Sequence, residues 1–247
     1  MKGVILAAGT ASRLRPLTDA IPKCLLPLGG GTLLGRTLDN LAAAGIRDVV
    51  IVTGYLEEQI RRYVRERRPD MRAEFVRNEV YASTNNIYSL WLAREAVRGD
   101  GMTLLDSDIL FDPAILPAVL GAGAPAALAV KTGLELGDEE IKVEVDAGRR
   151  VRTIGKHVPA PRAMGESIGI ETFTPEGLAA LFLAMERKVV GEGRVDIFYE
   201  AAFQDMIDRG SEMLAVDIGR LPAIEIDTID DFRRAESEVL PLLPESR

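Results

Sequence analysis

Short apolar runs alternate with amphipathic helical segments over the first third of the chain. The runs at residues 4–8 and 49–52 contain the β-branched and small apolar residues that are typical of buried strands, and residues 73–76 predict a third strand. The segments between them, 33–44 and 57–67, carry apolar residues at helical spacing. Strands that alternate with helices in this way form a parallel sheet with right-handed crossovers. We therefore expect an α/β fold with a Rossmann-like, mostly parallel central sheet flanked by helices.

The first strand leads into a loop of small residues that two cations follow. Gly9 ends the apolar run, a small-residue turn occupies 10–12, and Arg13 and Lys23 come after it. Three prolines stiffen the stretch around the cations. A buried strand that feeds exposed backbone N–H groups, with cations behind them, is a device for holding phosphates. An ordinary turn with solvated basic residues is the alternative, and the joint occurrence of these features favours a phosphate site.

The length, the charge and the cysteine content of the chain limit the kinds of protein that it can be. Its 247 residues suffice for a full hydrophobic core. The 38 acidic residues outnumber the 30 Lys and Arg residues, and the net charge of −8 argues against nucleic acid as a partner. An anionic substrate would then need a locally positive pocket, which Arg13 and Lys23 can supply. The one cysteine, Cys24, excludes an internal disulfide and any multi-cysteine metal site.

The sequence carries no signal for a membrane or for export. No apolar stretch reaches the ~18 residues that a membrane span requires. The N-terminus lacks the long apolar region and the cleavage site of a signal peptide. We therefore expect a cytoplasmic protein with no membrane span, and the sequence leaves open whether the chain forms a homo-oligomer.

Two further apolar runs end in aspartate. Residues 102–105 lead into Asp106 and, two residues later, Asp108, and residues 224–226 lead into Asp227. Carboxylates at the carboxyl ends of strands face the same crevice as the phosphate loop, and their oxygens suit Mg²⁺ when phosphates complete its shell. Asp106 and Asp108 would share a face if the strand continued through both. The alternative for each aspartate is a solvated strand end or a helix N-cap.

A polar segment with three asparagines lies between the third and fourth of these strands. Ser83 or Thr84 can cap a helix over about 85–97. Asn78, Asn85 and Asn86 put three side-chain amides near one strand end, which suits recognition of a base or of hydroxyl groups. A capped helix without a ligand is the alternative.

Two stretches near the N-terminus resemble a family signature. Residues 6–18, LAAGTASRLRPLT, and 22–28, PKCLLPL, are similar to the pattern LAAGxGxRLxPLT followed by PKxLLPL of the nucleotidyltransferases that act on sugar phosphates and phospho-alcohols. Ala11 stands where the pattern has a second glycine, at a cost of about 1–2 kcal/mol if the position needs φ > 0. The run 85–93, NNIYSLWLA, is similar to a segment of the cytidylyltransferases that act on phosphocholine and related phospho-alcohols.

The resemblance implies roles for particular residues. Arg13 and Lys23 would be the catalytic cations, and Asp108 and Asp227 would bind Mg²⁺, with Asp106 a further candidate ligand. One partner would be an NTP, with CTP favoured, and the other a small phosphorylated or phosphonate acceptor. The residues expected to bind the nucleotide are Leu6, Ala7, Ala8, Gly9, Thr10, Ala11, Arg13, Lys23, Asn78, Thr84 and Asn85. The residues expected near the acceptor are Asn86, Tyr88, Lys131, Lys156, Glu166, Asp196 and Tyr199.

We expect one nucleotidyltransferase domain with three parts. Residues 1 to about 130 would bind the nucleotide, and about 131–227 would bind the acceptor. Alternation around an Asp-Ala-Gly turn predicts a small β-hairpin at 141–156 within the second part. A strand interrupted by a glycine is expected at 166–173. Residues 228–247 would form a C-terminal helix and tail.

The chain lacks the motifs of several other reactions. GxxxxGK[ST], GxSxG and a GxGxxG with an acidic residue about 20 positions later are all absent from the sequence. A phosphate nucleophile that is already charged near pH 7 needs no protein base. We expect CTP and a phospho-alcohol or phosphonate (phosphocholine, phosphoethanolamine, 2-aminoethylphosphonate or an inositol phosphate) to give a CDP-alcohol and pyrophosphate. A UTP-, dTTP- or GTP-dependent sugar-1-phosphate nucleotidyltransferase and a non-catalytic nucleotide-sensing module are the alternatives.

Overall fold

The computed structural model describes residues 1–244, so the last three residues of the predicted C-terminal tail lie outside the described residues. Within this range the strands are β1 (Lys2–Ala7), β2 (Pro27–Leu28), β3 (Gly31–Thr32), β4 (Asp48–Thr53), β5 (Arg72–Arg77), β6 (Met102–Asp106), β7 (Ile109–Phe111), β8 (Ala126–Lys131), β9 (Lys142–Val145), β10 (Val151–Gly155), β11 (Gly165–Phe173), β12 (Met213–Asp217) and β13 (Ala223–Glu225). The α-helices of the same range are α1 (Leu33–Ala43), α2 (Glu57–Arg67), α3 (Asn86–Leu92), α4 (Ile115–Leu120), α5 (Pro175–Met185), α6 (Glu200–Asp208) and α7 (Ile229–Arg234).

One sheet organises the molecule. Its strand order is β10–β9–β11–β6–β1–β4–β5, and β8 and β12 extend it from β11. Strands β6, β1, β4 and β5 are parallel, because a helix returns the chain to the same edge after each of the first strands. The predicted α/β fold with a parallel central sheet flanked by helices is therefore confirmed.

The register of β1 fixes where the phosphate loop leaves the sheet. β1 lies between β4 and β6, and its residue Leu6 is opposite Val52 on one side and Asp106 on the other. The carboxyl ends of these three parallel strands consequently meet at one edge. In open α/β sheets, ligands bind at this edge.

Strand β11 closes the central sheet on the other side of β6. It runs antiparallel to β6, β8 and β9. A register shift between Ser167 and Glu171 surrounds Gly169, whose φ is +69°. A Cβ atom at position 169 would lie 2.7 Å from Asp106 Oδ2, so glycine allows the strand to pass close to this carboxylate. The interruption predicted at Gly169 and the hairpin predicted at 141–156, which forms as β9 and β10, are both confirmed.

Apolar clusters cover both faces of the sheet. Helices α3, α5 and α6 pack on one face, and α1, α2 and α4 pack on the other. A third cluster joins Leu14, Leu26 and Leu28 of the opening segment to Ile226 and Ala235 near the C-terminus. This third cluster fixes the segment that carries Arg13 and Lys23 against the segment that carries Asp227.

Three elements differ in their bounds from the prediction. The helix predicted over 85–97 covers Asn86–Leu92 and continues only as turns. The sequence of residues 196–207 also predicts a helix, but α6 begins at Glu200, because the Tyr199 N–H donates to the Asn86 side chain instead of entering a helix. The strand predicted at 102–105 ends at Asp106 and turns at once, so strand alternation does not place Asp108 on the face of Asp106.

None of the helices between residues 1 and 244 combines the length and the apolar character that crossing a membrane requires.

Candidate active site

The loop after β1 is held from within and leaves the side chain of its cation, Arg13, largely exposed. Leu14 is fully buried, and its N–H donates to the Ala11 carbonyl oxygen at 3.1 Å. The buried Thr18 hydroxyl donates to the same carbonyl oxygen at 2.9 Å. The Arg13 side chain, 65% exposed, extends from the short turn between them. The loop therefore keeps one shape while its guanidinium reaches into the space above the sheet edge.

Ala11, at the position where the family pattern has a glycine, adopts the left-handed backbone conformation. Its φ and ψ are both 48°. An L-residue other than glycine pays about 1–2 kcal/mol for this conformation. The smallest side chain with a Cβ is therefore tolerated at this position, and larger ones are expected to fit poorly.

Ala11→Gly is expected to change the free energy of unfolding by less than about 1 kcal/mol, because relief of backbone strain is offset by the greater freedom of glycine in the unfolded chain. Ala11→Val should lower it by about 1–3 kcal/mol, since a β-branched residue is poorly suited to positive φ. Urea unfolding of the three proteins measures both effects. A valine variant as stable as the wild type would contradict the left-handed conformation.

A cleft of about 320 Å³ lies beyond the carboxyl ends of β1 and β6. Its lining includes most of the residues that the sequence associates with the nucleotide and the metal: Leu6, Ala7, Ala8, Gly9, Ala11, Arg13, Lys23, Thr84, Asn85, Asp106, Asp108 and Asp227. Asn86, expected near the acceptor, also lines it. Seven further residues complete the wall: Pro22, Cys24, Tyr81, Ser89, Ser107, Phe198 and Glu225.

Two cations and two aspartates meet at one end of the cleft. Lys23 Nζ donates to Asp108 Oδ2 and to Asp227 Oδ1, each at 2.8 Å. Arg13 Nη2 lies 2.7 Å from Asp227 Oδ2. Burial alone would raise the pKa of Asp227, but Lys23 and then Arg13 hold it below its usual range. Burial would likewise lower the pKa of Lys23, and the two carboxylates raise it above its ordinary value. The Lys23 ammonium and the Asp227 carboxylate are therefore charged near neutral pH.

Glu225 joins the two aspartates in a group of three carboxylates. One oxygen from each of Asp108, Glu225 and Asp227 lies within 4.8 Å of the others. Partial burial and the charges of Asp108 and Asp227 raise the pKa of Glu225 to about 8. Asp108 Oδ1 is buried and accepts no hydrogen bond from residues 1–244. Hard oxygen donors that crowd together, one of them without a partner, fit a divalent cation such as Mg²⁺.

Asp106 lies in the cleft but outside this group of three. Its Oδ2 accepts a hydrogen bond from the Tyr199 hydroxyl at 2.8 Å. Burial, followed by the charges of Asp108 and Glu200, raises the pKa of Asp106 well above its usual range. The Asp106 carboxylate thus belongs to a network under the cleft floor, while Asp108 faces the cations.

The three asparagines have different surroundings. Asn78 is buried, and its amide nitrogen donates to Thr84 Oγ1 at 3.0 Å and to Ser89 Oγ at 3.1 Å. Its oxygen accepts from the Val80 N–H, so Asn78 is fully occupied and holds two hydroxyls at the cleft wall. Asn85 and Asn86 line the cleft themselves.

The remaining residues that the sequence associates with the acceptor lie behind or beside the cleft. Lys131 donates to the Ala223 carbonyl oxygen, which braces β13 just before Glu225. Lys156 pairs with Glu139 at 2.7 Å and lies over the Phe198 ring. Glu166 is opposite Lys131 and Lys142 on the neighbouring strands. Asp196 is exposed. Tyr88 packs against the core, and Tyr199 is fully buried. Thr10, expected at the nucleotide, is half-buried outside the lining.

Glu200 is a buried carboxyl group next to the network that joins Asp106 and Tyr199 under the cleft floor. It is 7% exposed, and its Oε2 has no hydrogen-bond partner in the described part of the chain. Burial raises the pKa of Glu200 to about 7. A carboxyl group with a raised pKa keeps its proton in the folded state at pH values where the unfolded chain has lost it. Its contribution to stability is therefore present at low pH and is lost as the pH rises towards 7.

Glu200→Gln is expected to remove this loss, because the amide resembles the protonated acid and does not titrate. The stability advantage of the variant should grow by up to about 3 kcal/mol between about pH 4.5 and about pH 8. Guanidinium unfolding at the two pH values measures the change, with the exposed Glu176→Gln as a control that should follow the wild type. Parallel pH dependence of Glu200→Gln and the wild type would contradict the expectation.

Several known proteins are similar to this chain in sequence. The sequence profile of the MobA-like NTP transferase domain matches residues 3–139. CMP-5'-(3-aminopropyl)phosphonate synthase of Streptomyces rubellomurinus is 30% identical over 250 residues, which cover 98% of this chain and 39% of the relative. Choline-phosphate cytidylyltransferase of Streptococcus pneumoniae is 41% identical over 95 residues, 38% of this chain and 40% of the relative. The alignments thus span about two fifths of the length of these curated relatives.

A solved structure has the same fold. The inositol-1-phosphate CTP transferase from T. maritima superimposes with a TM-score of 0.79 at 22% identity, over 96% of this chain and 97% of that chain. The matched profile covers more than half of the sequence, from β1 through the phosphate loop to β6 and Asp108. The match includes most of the residues that line the cleft, and the chain belongs to the family of MobA-like NTP transferase domains.

Proposed function

We propose that the chain is a Mg²⁺-dependent cytidylyltransferase that joins CMP from CTP to a small phosphate or phosphonate acceptor and releases pyrophosphate. The observation that carries the proposal is the meeting of Arg13 and Lys23 with Asp108 and Asp227 beside the phosphate loop. Two anions, a triphosphate and an acceptor, must approach each other in such a reaction. Fixed cations at the point of approach offset their repulsion.

Asp108, Glu225 and Asp227 would hold the Mg²⁺ ion in this proposal. The ion would supply further positive charge for the phosphates when bound. Asp106, whose Oδ2 is occupied by the Tyr199 hydroxyl, is the weakest candidate ligand among the four carboxylates.

The chemistry requires little proton transfer. An oxygen of the acceptor phosphate or phosphonate attacks the α-phosphorus of CTP and forms a new P–O bond. The bond from the α-phosphorus to the oxygen that bridges to the β-phosphate breaks, and its electron pair leaves with pyrophosphate. Arg13 would stabilise the charge that develops on the leaving group, and Lys23 would hold the reacting phosphates. The chain's one histidine, His157, is exposed beside the hairpin and has no part in this scheme.

The acceptor is proposed to carry an amine as well as its phosphate or phosphonate. The relatives named for aminopropylphosphonate and for choline phosphate both act on anions joined to a cationic nitrogen. Asp106 lies in the cleft with Glu171 and Glu200 behind it, and no Lys or Arg within residues 1–244 pairs with any of the three. A cationic head group beside these carboxyl groups would favour their charged forms and give them the partner that the described residues do not supply. Residues 1–130 would then serve the nucleotide and 131–227 the acceptor.

A matrix of four nucleotides against several acceptors tests the proposal. CTP, UTP, dTTP and GTP are each mixed with Mg²⁺ and phosphocholine, phosphoethanolamine, 2-aminoethylphosphonate, 3-aminopropylphosphonate, inositol 1-phosphate or glucose 1-phosphate. Release of pyrophosphate with CTP and an amine-bearing acceptor is the expected result. Release only with glucose 1-phosphate would assign the sugar-1-phosphate alternative, and no release with any pair would favour a nucleotide-sensing module.

A further inference from the structure

The side-chain amides of Asn85 and Asn86 have orientations that the backbone fixes. The Asn86 N–H donates to Asn85 Oδ1 at 2.8 Å, and the Tyr199 N–H donates to Asn86 Oδ1 at 2.9 Å. A backbone N–H can donate only to the oxygen of an amide, so neither side chain can be turned over without losing a bond. Both Nδ2 groups are therefore left to face elsewhere, and neither donates to an acceptor within residues 1–244.

Ser89 adds a third donor to the same wall. Its Oγ already accepts a hydrogen bond from Asn78 Nδ2 at 3.1 Å, so its own proton must point away from Asn78. No acceptor for this proton is present in the part of the chain that the structure describes. Asn85 is the N-cap residue of α3, and Ser89 lies in the first turn of that helix. Both line the cleft.

The wall formed by Asn85 and Ser89 thus presents two donors that have no acceptor within residues 1–244, while each of its two side-chain oxygens already accepts one hydrogen bond. The Asn85 oxygen and one lone pair of Ser89 are used inside the protein. A ligand edge that also presents an N–H at this wall would meet donor against donor, whereas an edge of bare lone pairs would be satisfied.

We propose that this donor wall selects cytosine over the other candidate bases, with Asn85 and Ser89 donating to its N3 and O2 atoms. Cytosine presents two adjacent lone-pair acceptors at N3 and O2. Uracil and thymine carry a hydrogen on N3, and guanine carries one on N1, so each puts a donor where cytosine has an acceptor. The inference rests on the proposed function, since it concerns the nucleotide of that same cleft. It gives a physical reason for CTP in place of UTP, dTTP or GTP.

Asn85→Asp is the sharpest test, because it retains the oxygen that receives the Asn86 N–H and replaces the donating NH₂ by an acceptor. Binding of CTP and of UTP to the intact protein is measured by calorimetry in the presence of Mg²⁺, without any acceptor substrate. The wild type is expected to bind CTP at least about tenfold more tightly than UTP. The variant is expected to lower this ratio about tenfold or more, even though its added charge weakens both nucleotides.

Asn86→Asp is the matched control, since it makes the same change one residue away and also retains its bonded oxygen. Its added charge should weaken CTP and UTP alike and leave their ratio unchanged. Equal ratios in Asn85→Asp and the wild type, or the same shift in both aspartate variants, would overturn the assignment. Thermal unfolding of all three proteins verifies that each is folded.

The measurement separates this inference from the function on which it rests. Tight binding of both nucleotides without preference, together with pyrophosphate release in the acceptor matrix, would overturn the donor wall and leave the proposed reaction standing. Binding of neither nucleotide would overturn both.

Discussion

Asp108→Asn is expected to lower the rate of pyrophosphate release by roughly a hundredfold to a thousandfold. Asp108 accepts a hydrogen bond from Lys23 at one oxygen, and its other oxygen is buried without a partner among residues 1–244. An asparagine would put a neutral amide, with its donating nitrogen, among groups that are arranged around a carboxylate. The proposed metal site would lose a charged ligand, and Lys23 would lose one of its two anchors.

Two readouts distinguish this loss from misfolding. Pyrophosphate release measures turnover, and the effect of Mg²⁺ on thermal unfolding measures cation binding without any nucleotide. Asp112→Asn is a suitable control, because Asp112 lies four residues away and its side chain accepts the Ala114 N–H outside the cleft. The control should keep both turnover and the response to Mg²⁺. Full turnover in Asp108→Asn would refute the assigned role.

Asp106→Asn provides a comparison inside the cleft. An asparagine oxygen can still accept the Tyr199 hydroxyl, so the network under the cleft floor should remain intact. The response of thermal unfolding to Mg²⁺ is therefore expected to stay close to that of the wild type. A response lost to the same degree as in Asp108→Asn would place Asp106 among the metal ligands.

The parallel half of the fold is predictable because its signals are local. The apolar runs of β1, β4 and β6 are flanked by polar or helical residues, and buried parallel strands are recognised by such runs. The start of α6 is not predictable in this way. The acidic and aromatic residues at 196–199 have helical character, but a tertiary hydrogen bond from Tyr199 to Asn86, far away in sequence, delays the helix.

The candidate site also contains residues that local sequence signals predict and residues that only the folded structure reveals. Gly9, Arg13, Lys23 and the two strand-end aspartates could be recognised, because a strand end places polar residues at the ligand edge. Glu225 has a signal of the same kind, since it stands two residues before Asp227 at the end of β13. From the sequence we assign the metal site to Asp227 and do not consider Glu225 as a second ligand from the same strand end. Ser89 could not be recognised, because only the folded contact with Asn78 shows that its proton faces the cleft.

Lys23→Met is expected to have the second large effect, on stability as well as on turnover. The Lys23 ammonium is 11% exposed and bonds to both Asp108 and Asp227. Methionine has a similar length but no charge, so three neighbouring carboxylates would be left with Arg13 as the remaining close cation. Removing one partner of a buried ion pair commonly costs about 3–5 kcal/mol, and the partial exposure of the two aspartates should place this variant near the lower limit. Turnover should fall at least about a hundredfold, since a cation beside the reacting phosphates is lost.

The pH and cation dependence of this variant identify the cause of its instability. Without the ammonium, mutual repulsion raises the pKa values of the carboxylates in the folded state, so the loss should be smaller near pH 5 than near pH 8. Mg²⁺ that binds only the folded protein should restore stability, and by more than in the wild type, where it competes with Lys23 for the same oxygens. Urea unfolding with and without Mg²⁺ measures these effects. Lys2→Met, which removes an ion pair to Asp100 away from the cleft, should cost about 1 kcal/mol or less at both pH values and show no added response to Mg²⁺. If Mg²⁺ stabilised Lys23→Met no more than the wild type, Lys23 and the cation would not share these carboxylates, and the proposed metal site would have to lie elsewhere.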